Sequence, residues 1–152
     1  MTPKPALILI VLAHLLGVVV VEAGTENMIG SWKVEIAFAN GENRSFRFDA
    51  REAGKGSFAL IDPMAKVWSG AERSEGKWSR DDQGSVTFLG SVEFPLGNVG
   101  LDAGALVLKG KFNPEGTITG SAVFFRLDQD PKSPDAKPSK NGSFKAMRAT
   151  DG

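Results

Sequence analysis

An all-β chain, folded as an antiparallel up-and-down β-barrel of about eight strands, is what this sequence predicts, with a β-sandwich as the alternative. Three observations point there. Apolar and polar residues alternate with period two from Ser31 to Ala149, turn-forming clusters recur at short regular intervals, and Gly90, Gly110 and Gly120 fall in mid-strand on the apolar face. Strict alternation marks a strand with one buried face, and regular turn spacing suits a sandwich or barrel. Glycines inside neighbouring strands permit the bending a sheet needs to close. They would also serve simply to make room for facing Phe rings.

The elements follow in order. In 31–39, Trp32, Val34, Ile36 and Phe38 share one face opposite Lys33 and Glu35. Asn40-Gly41-Glu42-Asn43 is a hairpin turn by composition, and 44–52 then sets Phe46, Phe48 and Ala50 against Ser45, Arg47, Asp49 and Arg51. Ala53-Gly54-Lys55-Gly56 turns the chain into 57–61, and 66–73 and 76–79 supply two shorter strands. Asp81-Asp82-Gln83-Gly84 reads as another turn, followed by 85–94 with Val86, Phe88, Gly90, Val92 and Phe94 on one side. The strand 105–112 is joined to 117–126 by Asn113-Pro114-Glu115-Gly116, where Pro sets one corner and Gly the positive φ. The last strand is 143–149, with Phe144, Ala146 and Arg148 on one face.

Two segments break this rhythm. Residues 95–104 carry Leu96, Val99 and Leu101 in an irregular stretch, either packed down or acting as a lid. Residues 127–142 contain Pro131, Pro134 and Pro138 among Asp, Lys and Ser, which forbids a helix and leaves an exposed Pro-rich loop.

The N-terminus has its own logic. Lys4 precedes a mainly apolar run over 6–21, and Val21-Glu22-Ala23 offers a cleavage site after Ala23. That order is the signature of a secretory signal peptide, and the run is short for a bilayer span of ~20 apolar residues. The expectation is a signal peptide over 1–23 and one barrel domain over 24–152, secreted or periplasmic, with no stable membrane span after cleavage. An uncleaved N-terminal anchor is the alternative.

Composition narrows the chemistry. The 152 residues hold 18 basic and 18 acidic side chains, ten Phe, three Trp, one His and neither Cys nor Tyr. The single His is His14, within the expected signal peptide, so the domain beyond it has no imidazole and no thiol. Disulfide scaffolds, Cys/His zinc sites, thiol nucleophiles and His-based triads are excluded. A neutral chain with no basic run also speaks against nucleic acid, which rewards a basic face by counterion release. Asp128-Gln129-Asp130 starts like a calcium loop, but Lys132 takes the fifth position and no Gly follows at the sixth. Glu35, Asp49 and Glu93 are predicted on solvent faces, and no nucleophile motif occurs beyond residue 23. No catalytic residue, metal site or cofactor is expected. Asn43-Arg44-Ser45 and Asn141-Gly142-Ser143 are formal glycosylation sequons.

Gly30-Ser31-Trp32 at the head of the first strand and Arg148 in the last one resemble the lipocalin and wider calycin group. There, Gly-x-Trp opens strand one and a late Arg packs over the Trp at the closed end. The resemblance implies a structural cation–π contact between Trp32 and Arg148. The sequence departs from lipocalins in having no Cys pair and a Pro-rich segment in place of a C-terminal helix.

An eight-stranded barrel is either filled by its own side chains or holds one small ligand. Trp32, Phe46, Phe48, Phe88, Gly90, Leu108, Gly120 and Phe124 would line such a pocket, and Leu96, Val99 and Leu101 would lie over it. The function expected is therefore a monomeric, non-enzymatic barrel binding a small hydrophobic molecule. The rival is a secreted or envelope-associated interaction or inhibitor module acting through 95–104 and 127–142.

Overall fold

Alternation turns into eight strands because each apolar stripe has a neighbouring stripe to bury it. They are β1 (Gly30–Phe38), β2 (Asn43–Ala50), β3 (Lys55–Leu60), β4 (Ser74–Arg80), β5 (Ser85–Pro95), β6 (Leu101–Phe112), β7 (Ile118–Arg126) and β8 (Lys140–Arg148). The computed structural model describes residues 27–61, 73–95 and 100–150, without the side chains of Pro95 and Leu101. The apolar N-terminal run, the cleavage site after Ala23, most of the strand expected over 66–73, Leu96 and Val99 lie outside the described residues. Among the described residues no helix is long and apolar enough to cross a membrane.

Every strand pairs antiparallel with the next, and β8 pairs antiparallel with β1, so the sheet closes into a barrel rather than splitting into a sandwich. The turns use the residues that composition suggested. Gly41, Gly84 and Gly116 all have positive φ. Asp81 Oδ1 accepts from the backbone N–H groups of Gln83 and Ser85, both at 2.9 Å, an Asx-type turn.

Two strand starts differ most from the sequence expectation. Strand β6 begins at Leu101, paired with Pro95, so the loop expected over 95–104 shrinks to 96–100. Strand β8 begins at Lys140, paired with Phe124, so the loop expected over 127–142 ends at 139. In both cases the strand continues through a charged residue on its inward face, Asp102 in β6 and Lys140 in β8. Apolar alternation is blind to such positions.

The core is a chain of rings. Trp32, Phe46, Phe48, Phe58, Phe88, Phe94 and Phe124 are each at most 2 % exposed. Phe48 packs on Phe58 at 4.7 Å and on Phe88 at 4.8 Å, and Phe94 packs on Phe124 at 5.0 Å between ring centres. Such tilted and edge-to-face pairs each contribute ~0.5–1.5 kcal/mol beyond area burial. Inward glycines are what let these rings approach the wall. Gly56, Gly76 and Gly90 pair in a row across β3, β4 and β5. A Cβ at Gly90 would stand 2.6 Å from Phe58 Cε2, and one at Gly110 would stand 2.8 Å from Phe144 Cζ.

Candidate functional site

Up-and-down topology sends alternate connections to opposite ends. One end carries the N-terminal residues 27–29 and the tight turns after β2, β4 and β6. Arg148 lies over the Trp32 ring there, 4.1 Å from its centroid, and Arg80 lies over Phe112 at 5.0 Å. This end is sealed.

The strand ends joined by 39–42, 61–73, 96–100 and 127–139 lie at the other end. The strand ends flanking the two segments singled out as irregular thus share one rim. Beneath it, Phe38, Phe46, Phe94 and Phe124 form an aromatic floor, with Phe94 5.5 Å from Phe46 and 6.0 Å from Phe38. Above that floor the inward stripes end in charge: Arg44 on β2, Asp102 on β6 and Lys140 on β8.

Lys140 is the centre of this cluster. Its side chain is only 10 % exposed, and its Nζ donates to Glu42 Oε2 at 2.7 Å and lies 3.1 Å from Asp102 Oδ2. The same ammonium sits 5.6–5.9 Å from the centres of Phe38, Phe94 and Phe124. A buried ammonium needs partners, and here two carboxylates and three ring faces supply them. Arg126 Nε reaches Asp102 Oδ1 at 3.7 Å from the solvent side. The Lys140 hydrogen bond holds the Glu42 carboxyl below its ordinary range, helped by the charges of Lys140 and Arg44 against the opposing effect of burial. Arg44 places its guanidinium 5.5 Å from the Phe94 ring centre.

The residues expected to line a pocket all belong to inward stripes, yet they do not gather at one place. Trp32 is at the sealed end. Phe48, Phe88, Gly90 and Leu108 form the middle layer, and Phe46 and Phe124 reach the floor below the loop rim. The space expected at Gly90 and Gly120 is occupied: a ring covers Gly90, and a Cβ at Gly120 would stand 2.5 Å from Gly110 Cα. Of the three lid positions, Leu101 opens β6 and the other two lie outside the described residues.

Family models, curated proteins and solved structures offer no match to this chain. The site is therefore read from its own chemistry. Sequence reasoning missed Glu42, Arg44, Asp102 and Lys140. Extending the inward alternation of β2, β6 and β8 toward the rim reaches Arg44, Asp102 and Lys140, which is the signal that could have found them. Among the described residues, no group of three Asp, Glu, His or Cys could hold a metal ion.

A second concavity lies outside the barrel. It is a groove of about 540 Å³ across β2, β1, β8 and β7, lined among others by Glu35, Ala37, Ser45, Thr119, Ser143 and Lys145. Its small hydroxyl side chains and mixed charge make it a wet surface feature rather than a reaction site.

Proposed function

We propose that this chain is an exported, non-enzymatic binding barrel that takes one small apolar-bodied molecule at its loop-end mouth. The observation that carries this reading is the aromatic floor of Phe38, Phe94 and Phe124, set under a rim of ionised side chains where the irregular connections emerge. Sites for small molecules combine an apolar lining with a few placed polar groups. The ring-filled layers below favour the mouth over the barrel centre as the place of binding. Export to a secreted or periplasmic location rests on the charge, apolar run and small-residue exit of residues 1–23. Kinship with calycins is part of the same reading, supported by the Trp32–Arg148 contact.

Mass spectrometry of an organic extract of the natively purified protein tests the proposal. A stoichiometric apolar molecule is the expected result. A clean extract, together with no saturable quenching of Trp fluorescence by apolar probes, would overturn it.

A second reading is a protein-interaction module acting through 127–139. It is favoured by Leu127, which is 77 % exposed on a loop held by its own backbone bonds, Gln129 to Arg126 at 2.9 Å and Ser133 to Asp130 at 3.0 Å. Deleting 130–137 would remove partner binding under this reading and spare small-molecule uptake.

A further inference from the structure

Lys140, Asp102 and Glu42 are arranged as reactants as well as ions. Lys140 Nζ lies 3.1 Å from Asp102 Oδ2, and the two side chains are 10 % and 9 % exposed. From another side the same ammonium donates to Glu42 Oε2 at 2.7 Å. The rings of Phe38, Phe94 and Phe124 stand 5.6–5.9 Å from Nζ and shield it from water. An amine and a carboxyl so held are the two halves of an amide. Groups fixed in one molecule react as though at effective molarities of about 10⁵–10⁸ M, and exclusion of water protects the product from hydrolysis. With Nζ 3.1 Å from Oδ2, the carbon it would attack is one bond further on.

The two carboxylates are not equivalent. Glu42 is 33 % exposed against 9 % for Asp102, and Lys140, Arg44 and Asn40 together favour its ionised form against the effect of burial. An ionised carboxylate is a poor electrophile and a good proton acceptor, which makes Glu42 the base and Asp102 the acyl group. Arg126 Nε stands 3.7 Å from Asp102 Oδ1, the oxygen away from Nζ, where it can stabilise negative charge that builds during attack.

We propose that Lys140 and Asp102 condense into an intramolecular isopeptide bond, with Glu42 as the catalytic base. Glu42 Oε2 takes a proton from the ammonium, and the freed lone pair of Nζ attacks Cγ of Asp102. The Nζ–Cγ bond forms, the Cγ–Oδ2 bond breaks, and Oδ2 leaves as water with the two protons that Nζ gives up. Glu42 relays those protons and ends ionised, as it began. The ion pair is the reactant state, and no oxidant, reductant or energy donor is needed. The product ties β6 to β8 across the end of β7, in a chain with no Cys to staple it. This goes beyond the binding reading and does not depend on what the mouth receives.

Intact-mass spectrometry of the unfolded full chain tests this. The unaltered protein should be lighter by one water than its sequence requires, measured against Lys140→Arg from the same host so that any N-terminal processing is common to both. Digestion should yield one branched peptide joining the segments that carry Asp102 and Lys140. Glu42→Gln keeps both reactants and removes the base, so it should fold, as read by Trp fluorescence, yet carry the full unlinked mass. If a variant does not fold, the branched peptide in the unaltered chain decides alone. A full mass with a free Lys140 amine, after prolonged incubation of the folded protein, overturns the inference and leaves a plain ion pair. Water loss that maps to Lys140 and Glu42, or that persists in Glu42→Gln, overturns the roles assigned to the two carboxylates.

Discussion

Arg148 and Trp32 are directly paired across β8 and β1, and the guanidinium carbon stands 4.1 Å from the centre of the Trp32 ring. The contact does more than stack two side chains. Arg148 Nη1 donates to the Ile29 carbonyl at 2.8 Å, Nη2 donates to the Asn27 carbonyl, and Trp32 Nε1 donates to the Met28 carbonyl at 2.9 Å. Three consecutive carbonyls ahead of β1 are thus fastened over the sealed end, and Met28 is 3 % exposed there. Burial lowers the Arg148 pKa, but a guanidinium remains a cation throughout the accessible range.

Replacing Arg148 with Met should therefore destabilise the barrel by about 1–3 kcal/mol, combining a lost cation–π contact with two orphaned carbonyls. Urea unfolding followed by Trp fluorescence measures this. Limited proteolysis should also cut within 27–29 faster in the variant, because its clamp is gone. An unchanged midpoint with unchanged cleavage would show that the clamp contributes nothing.

Gly90→Ala tests the packing of the middle layer. The added methyl would meet Phe58 Cε2 at 2.6 Å and Glu75 O at 3.1 Å, and overpacking of this kind costs about 1–3 kcal/mol. Combining it with Phe58→Leu should cost less than the sum of the two single changes, since the smaller side chain makes room for the methyl. Strict additivity in chemical denaturation would mean that the ring and the glycine do not interact.

The fold was legible because its determinants are local. Trp32-Lys33-Val34-Glu35-Ile36 alternates without exception, and Asn113-Pro114-Glu115-Gly116 can hardly be anything but a turn. The role of glycine was half legible: alternation placed Gly90 and Gly110 inward, but only the register shows Phe58 and Phe144 lying against them. The mouth was not legible. Glu42, Asp102 and Lys140 are far apart in sequence, and each looks like an ordinary solvated charge. Their burial follows from barrel closure, which brings the start of β8 beside the end of β7 and the end of β1.

Acidification should unfold the protein through two carboxyls in particular. Burial alone would push Asp49 up, but hydrogen bonds from Ser31 and Arg47 and the charges of Arg47 and Arg73 outweigh it and lower its pKa. Glu42 is lowered chiefly by its hydrogen bond from Lys140. Both titrate lower in the folded chain than in the unfolded one. Their stabilisation is thus fully present above the unfolded values and is lost as pH falls through the folded ones. Unfolding midpoints at about pH 5.5 and about pH 3 should drop less for Glu42→Gln than for the unaltered chain, narrowing the gap between them. A gap that widens on acidification would reverse the sign and refute the assignment.

Lys140 offers the sharpest test of the mouth. Its ammonium and the Asp102 carboxylate are each at least nine-tenths buried and stand 3.1 Å apart. Removing the ammonium leaves the buried Asp102 carboxylate only Arg126, 3.7 Å away on the solvent side, a loss approaching the roughly 3–5 kcal/mol of a broken buried pair. Lys140→Met should therefore be severely destabilising, although it adds apolar surface beside Phe38, Phe94 and Phe124. Asp102→Leu should be milder, because Glu42 still holds the ammonium at 2.7 Å. The double variant should recover much of the loss of Lys140→Met, since a well-packed apolar pair can replace a buried ion pair without net cost. Double-mutant cycles in guanidinium chloride measure the coupling. If Lys140→Met alone matches the unaltered chain, water screens this cluster, and the mouth is an ordinary wet rim.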